Sequence, residues 1–122
     1  MSRIFLDTNV LVYTYDNDSS LKRDRARELL ARLEQATEDV TVISTQVLQE
    51  LYNILTRKLH DSPTLAKKKL LKWAKSEVVG VSRAIVLAAA DLHASAAISF
   101  WDALIVAAAQ AAGCDELWTE DL

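Results

Sequence analysis

Short apolar runs alternate with helix-length segments along this chain, and that alternation limits the fold more than any other feature. "RIFL" (3–6), "DVTVIS" (39–44), "VVGVS" (78–82) and "ELWTED" (116–121) read as strands, short and rich in apolar or β-branched residues. Helices are expected between them: from about Asn9 to Tyr15, over 21–36 and 45–59, from Pro63 to about Ser76, and over 83–96 and 99–113. Leu21, Leu29, Leu30 and Leu33 form one helical stripe, and Val47, Leu48, Leu51, Ile54 and Leu55 another. Ser62 before Pro63 is a cap followed by a first-turn proline. Ser99 and Gly113 mark the start and stop of the last helix. Apolar strands separated by helices indicate a parallel sheet covered on both faces. The expectation is an α/β fold: a three-layer α/β/α sandwich of about four parallel strands, in one domain over residues 1–122.

Composition supports this and narrows the setting. The 122 residues are 51% hydrophobic with two Gly and one Pro, which suits a compact, helix-rich globule with a real core. A lone cysteine, Cys114, excludes an intrachain disulfide and fits a reducing cytoplasm. No basic segment leads into an apolar signal region. Uncharged runs such as "ALIVAAAQAAGC" fall short of the roughly 20 residues that span a bilayer. A soluble cytoplasmic protein with no membrane partner is expected.

The net charge of −3 is unevenly spread. Residues 1–55 hold six basic and nine acidic side chains, 56–83 eight basic and two acidic, and 84–122 no Lys or Arg and six acids. The basic block, "KKKLLKWAK", has a plain reading as the solvated face of an amphipathic helix, and a second as a patch that steers a polyanion.

In a parallel α/β sheet, ligands bind beyond the carboxyl ends of the strands, where helix N-termini also point. Four acids from distant stretches fall on that edge. Asp7 ends the first strand, Glu50 lies in an early turn of the helix after "TVIS", Asp102 in the first turn of the helix capped by Ser99, and Asp121 near the end of the last strand. Any one of them alone has a plain reading: Asp7 as a helix cap, Glu50 and Asp102 as helix-dipole partners, and Asp121 as a polar residue at a fraying terminus. Together they would repel and raise one another's pKa unless a cation shares the site. A hard divalent ion with oxygen ligands, Mg²⁺ or Mn²⁺, is the natural guest. Two His and one Cys give no zinc set. A carboxylate-bound metal suits phosphoryl chemistry, and helix N-termini at the same edge can hold phosphate oxygens. Thr8, Asn9 and Thr119 are placed to orient a substrate or water, while Ser44 reads first as a helix cap.

The stretches "FLDTNVLVY", the Glu of "STQVLQELYNIL" and "SFWDALIVAAAQAAGCDELWTEDL", in that order, resemble the PIN domain over nearly the whole chain. The resemblance is closest to VapC-type toxin ribonucleases of type II toxin–antitoxin systems. It implies a metal-dependent endoribonuclease using Mg²⁺ or Mn²⁺, with Asp7, Glu50, Asp102 and Asp121 as catalytic, metal-holding acids and Thr119 as the family's hydroxyl near the last of them. It also implies an RNA substrate and a cognate antitoxin protein as partners. Arg57, Lys67, Lys68 and Lys72 are then candidates for guiding RNA. The family usually continues past its last acid into a short final strand. That strand is expected to be missing in a chain ending at Leu122, with Asp121 less firmly anchored. The alternative is a non-catalytic, truncated PIN-like module that binds RNA or an antitoxin. An aspartyl phosphatase or phospho-receiver fits poorly: "DTN" lacks the second Asp of the former, and the last strand lacks the Lys of the latter.

Trp101 and Trp118 read as core, Trp73 less firmly so beside the lysines. His60 and His93 fall away from the acidic edge, and Cys114 reads as a small buried hydrophobe. The alanine runs of the last two long helices permit close packing, either within the fold or across a homodimer face. The leucines of 21–36 and 45–59 read as core stripes, with a groove for an antitoxin helix as the second reading.

Overall fold

The computed structural model describes residues 1–36 and 38–119. Strands β1 (Arg3–Leu6), β2 (Val40–Ser44), β3 (Glu77–Val79) and β4 (Glu116–Trp118) alternate with helices α1 (Thr8–Tyr13), α2 (Ser20–Gln35), α3 (Thr45–Arg57), α4 (Pro63–Trp73), α5 (Arg83–Ser95) and α6 (Phe100–Ala111). All strand pairs are parallel, in the order β3-β2-β1-β4. Right-handed crossovers from β1 to β2 and from β2 to β3 travel one way across the sheet and put α1–α4 on one face. The return from β3 to β4 runs the other way and puts α5 and α6 on the opposite face. The contacts agree: α1 touches α2 and α3, α3 touches α4, α5 packs on α6, and both α3 and α6 reach β2.

Phe5, Leu6, Leu11, Ile43, Leu51 and Leu55 are fully buried between these layers. Burying side chains of this size stabilises the fold by about 1.5–3 kcal/mol each. Of the expected α2 stripe, Leu30 and Leu33 are buried and Leu29 is half-buried, while Leu21, in the first turn of the helix, is exposed. Trp73 is buried and its Nε1 donates to Tyr15 Oη at 2.9 Å.

Local chemistry sets the element ends. Asp7 caps α1, so that helix begins at Thr8. Ser44, Ser62, Ser82 and Ser99 cap α3, α4, α5 and α6 through their hydroxyls. The expected third strand over 78–82 is shorter at its far end. Val81 N–H donates to Thr45 Oγ1 rather than to a strand, and Ser82 is already the cap of α5. After α6, Gly113 takes φ 66°, with Gly113 N–H donating to the Gln110 carbonyl and Cys114 N–H to the Ala109 carbonyl, both at 3.0 Å. This paired bonding beyond a left-handed residue ends a helix, and glycine adopts it without a Cβ clash. Cys114 is half-buried rather than buried, and its partial desolvation pushes the thiol pKa up. Among the described residues, no helix is long and apolar enough to cross a membrane.

Candidate active site at the carboxyl edge of the sheet

The direction of travel across the sheet reverses between β1 and β4: one is followed by crossovers toward β2, the other is reached from β3 on the opposite face. Crevices open at such switch points, outside the carboxyl ends of the strands. Asp7 N–H donates to the Trp118 carbonyl at 2.9 Å, which ties the end of β1 to the end of β4 and brings Thr119 level with Asp7.

Each acid is placed by its element. Asp7 accepts the Thr8 N–H at 2.6 Å as the cap of α1. Thr8 is buried, and its Oγ1 donates to Glu50 Oε1 at 3.0 Å, which joins α1 to α3. Glu50 stands in the second turn of α3, a helix started by the Ser44 cap. Asp102 is the third residue of α6, its N–H donating to Ser99 Oγ at 3.1 Å, and the positive end of that helix favours its charge. Gln46 bridges the first turns of α3 and α6, donating Nε2 to the Trp101 carbonyl at 3.2 Å.

These residues surround two adjoining hollows. A cleft of about 270 Å³ has Asp7, Asn9, Asp102 and Thr119 above apolar Ile98 and Leu117. A smaller one of about 90 Å³ is lined by Asp7, Thr8, Gln46, Glu50, Trp101 and Asp102, among others. A larger hollow of about 630 Å³ runs along α2 alone, walled by the outer side chains of one helix, so it gathers nothing from distant parts of the chain. Size is therefore a poor guide here. The acidic hollows are where separate elements converge.

The donors in the acidic hollows are carboxylate, amide and hydroxyl oxygens, the set preferred by Mg²⁺ and Mn²⁺. Buried Gln46 also lines the smaller hollow, and its Oε1 has no hydrogen-bond partner among the described residues. Among those residues no three Asp, Glu, His or Cys side chains are drawn close enough to enclose a metal unaided. A hard ion that keeps several waters and takes one or two carboxylates suits such an open arrangement. The donor chemistry fits.

Of the four acids expected from the sequence, Asp7, Glu50 and Asp102 line one hollow, while Asp121 lies outside the described residues. Thr8, Asn9 and Thr119 stand around the same two hollows. Arg57, Lys67 and Lys68 are exposed on α3 and α4, away from them. Lys72 lies over the Trp73 ring and lines a separate hollow with Glu34 and Thr41, at the opposite end of the sheet. His60 and His93 are exposed, and His93 Nδ1 is 2.7 Å from the Ile98 carbonyl. Trp118 is half-buried against the core. Trp101 departs from the core role expected of it, being 65% exposed. Its helical period is that of the α6 core stripe, and its neighbours in the first turn, Phe100 and Ala103, are covered by the core while the Trp101 ring is not. Gln46 carries no chemical signal of its own in the sequence, although its position four residues before Glu50 puts both on one face of α3.

A doubly wound α/β sandwich with acids gathered at its switch point narrows the class, and sequence similarity fixes the family. The PIN domain model matches residues 4–122, and the chain belongs to that family. No curated protein matches the chain. Solved structures with the same fold include VapC20 of Mycobacterium tuberculosis, described as a sarcin-ricin-loop-cleaving toxin, at 21% identity and TM-score 0.75, covering 95% of this chain and 88% of that one. A toxin–antitoxin complex from Klebsiella pneumoniae matches at 18% identity and TM-score 0.72, over 96% of this chain and 97% of that one. A DNA-bound VapBC from Salmonella typhimurium matches at 20% identity and TM-score 0.68, over 96% and 83%.

Proposed function

We propose that this chain is a metal-dependent endoribonuclease, the toxin half of a toxin–antitoxin pair, which hydrolyses RNA phosphodiester bonds with Mg²⁺ or Mn²⁺. The observation that carries the reading is the meeting of Asp7, Glu50 and Asp102, from three distant stretches, around one hollow. Membership of the PIN family and the fold shared with VapC toxins support it.

Asp7 and Asp102, with Glu50 and Asp121, are the proposed metal ligands. A bound divalent ion supplies neutralisation of the phosphate and a lowered pKa for a coordinated water. Thr8 Oγ1 holds one oxygen of Glu50, which leaves Oε2 to accept a proton from the water that attacks in line. Thr119 and Asn9, on the rim of the larger cleft, orient the substrate or that water. Arg57, Lys67, Lys68 and Lys72 draw RNA to the protein by long-range attraction, an effect that salt screens. The antitoxin partner is proposed from the likeness to VapBC complexes.

The test is cleavage of a structured RNA by purified protein in Mg²⁺, Mn²⁺ or EDTA. Cleavage that needs the metal and disappears in Asp7→Asn is the expected result. A folded protein that binds RNA and never cuts it would favour a non-catalytic binding module instead.

A further inference from the structure

Two features of the smaller hollow are unaccounted for by metal-holding acids. The first is Trp101, whose indole is 65% exposed beside Asp102. Three, four and seven residues on, Leu104, Ile105 and Ala108 are buried, so the indole continues the α6 core stripe out over the hollow. It meets Phe100 edge-on, ring centres 5.6 Å apart at 66°, and its backbone is held by Gln46. The second is Gln46 itself, 7% exposed, whose Oε1 has no partner among the described residues. A buried acceptor without a donor is destabilising, and a ligand's donor relieves it once the amide turns its oxygen toward the hollow.

We propose that Trp101 and Gln46 form a nucleoside subsite beside the carboxylates: the indole stacks on the base next to the scissile phosphate, and Gln46 Oε1 accepts a hydrogen bond from the hydroxyl of its ribose. The inference rests on the RNA-cleaving reading above and names how that site grips its substrate. A large exposed π-face at a nuclease cleft suits base stacking, which tolerates any base. A hollow of about 90 Å³ admits a sugar hydroxyl more readily than a whole base. The acids around it disfavour an anion and accept a neutral donor. The surface does not suit a protein partner, because the other large exposed apolar side chains, among them Leu65, Leu71 and Leu87, lie outside this hollow. Trp101 is a single plate rather than part of a patch. A ribose-reading acceptor also makes the subsite selective for RNA over DNA.

The experiment measures binding without cutting. Labelled single-stranded RNA and its all-deoxy counterpart are titrated by anisotropy against Asp7→Asn protein, alone and combined with Trp101→Ala, Trp101→Phe or Gln46→Met. Trp101→Ala is expected to weaken RNA binding roughly tenfold, with Trp101→Phe recovering most of the loss. Gln46→Met is expected to weaken RNA binding severalfold and DNA binding by less, since only RNA loses the ribose contact while both lose the bond that steadies Trp101. Unaltered RNA affinity in Trp101→Ala overturns the proposal, also where that variant loses only a protein partner. Equal weakening toward RNA and DNA in Gln46→Met overturns the ribose contact. Should Gln46→Met lower the melting temperature, the Trp101 pair and the RNA-to-DNA ratio of the parent decide. Wild-type protein that fails to cut in Mg²⁺ or Mn²⁺ counts against the nuclease reading alone, since this assay needs no turnover.

Discussion

Asp7 is both the cap of α1 and one of the convergent acids, and the two roles separate by mutation. Asparagine caps as well as aspartate, so Asp7→Asn should melt within a few degrees of wild type while losing at least about a hundredfold in RNA cleavage. Asp7→Ala should lose about 1 kcal/mol of stability besides, read by urea unfolding. Thr8→Val removes the hydroxyl that holds Glu50 and leaves the shape nearly intact. A hydrogen bond to a charged group contributes about 1.5–3 kcal/mol, so chemical denaturation should show a loss on that order, and cleavage should fall with it. Asp7, Glu50 and Asp102 were legible in the sequence because a charge at a strand end or near a helix start is conspicuous between apolar runs. Gln46 carries no charge and looked like any polar residue of α3. Trp101 misled, since its spacing is that of a core residue and only the tertiary arrangement shows that nothing covers it.

α6 carries the site on a helix defined at both ends. Ser99→Ala removes the hydroxyl that accepts Asp102 N–H and should cost about 1 kcal/mol in urea unfolding, with a drop in cleavage as the first turn frays. Gly113→Ala meets no neighbour, but its φ of 66° is unfavourable for alanine and should cost about 1–2 kcal/mol with cleavage kept. The long helices could be read from apolar period, serine caps and Gly113, because those signals are local. The end of β3 could not. "VVGVS" is apolar throughout, and the bond from Val81 to Thr45 that takes it out of the sheet joins residues 36 apart.

Arg3 ties distant parts of the molecule together. Its guanidinium binds Glu77 at the start of β3 and, through Nε, the Ala112 carbonyl at 2.9 Å, while its backbone N–H donates to Asp115 Oδ2 at 2.7 Å. The Arg3 hydrogen bonds lower the Glu77 pKa, and Glu77 in turn raises that of Arg3. A lowered carboxyl pKa adds stability that is present above the unfolded value and lost as pH falls through the folded one. The melting-temperature gap between wild type and Glu77→Gln should therefore be present at pH 7, close below about pH 4, and shrink in high salt because the pair is exposed. The alternation of elements made the parallel sheet legible, whereas this long-range pair left no sequence signal. The central claim is that carboxylates brought together by this topology serve divalent metal. Calorimetric titration of Mn²⁺ into wild type, Asp7→Asn and Asp102→Asn tests it most directly. The account predicts saturable binding to wild type that each substitution weakens by at least about tenfold; equal binding by all three proteins would contradict it.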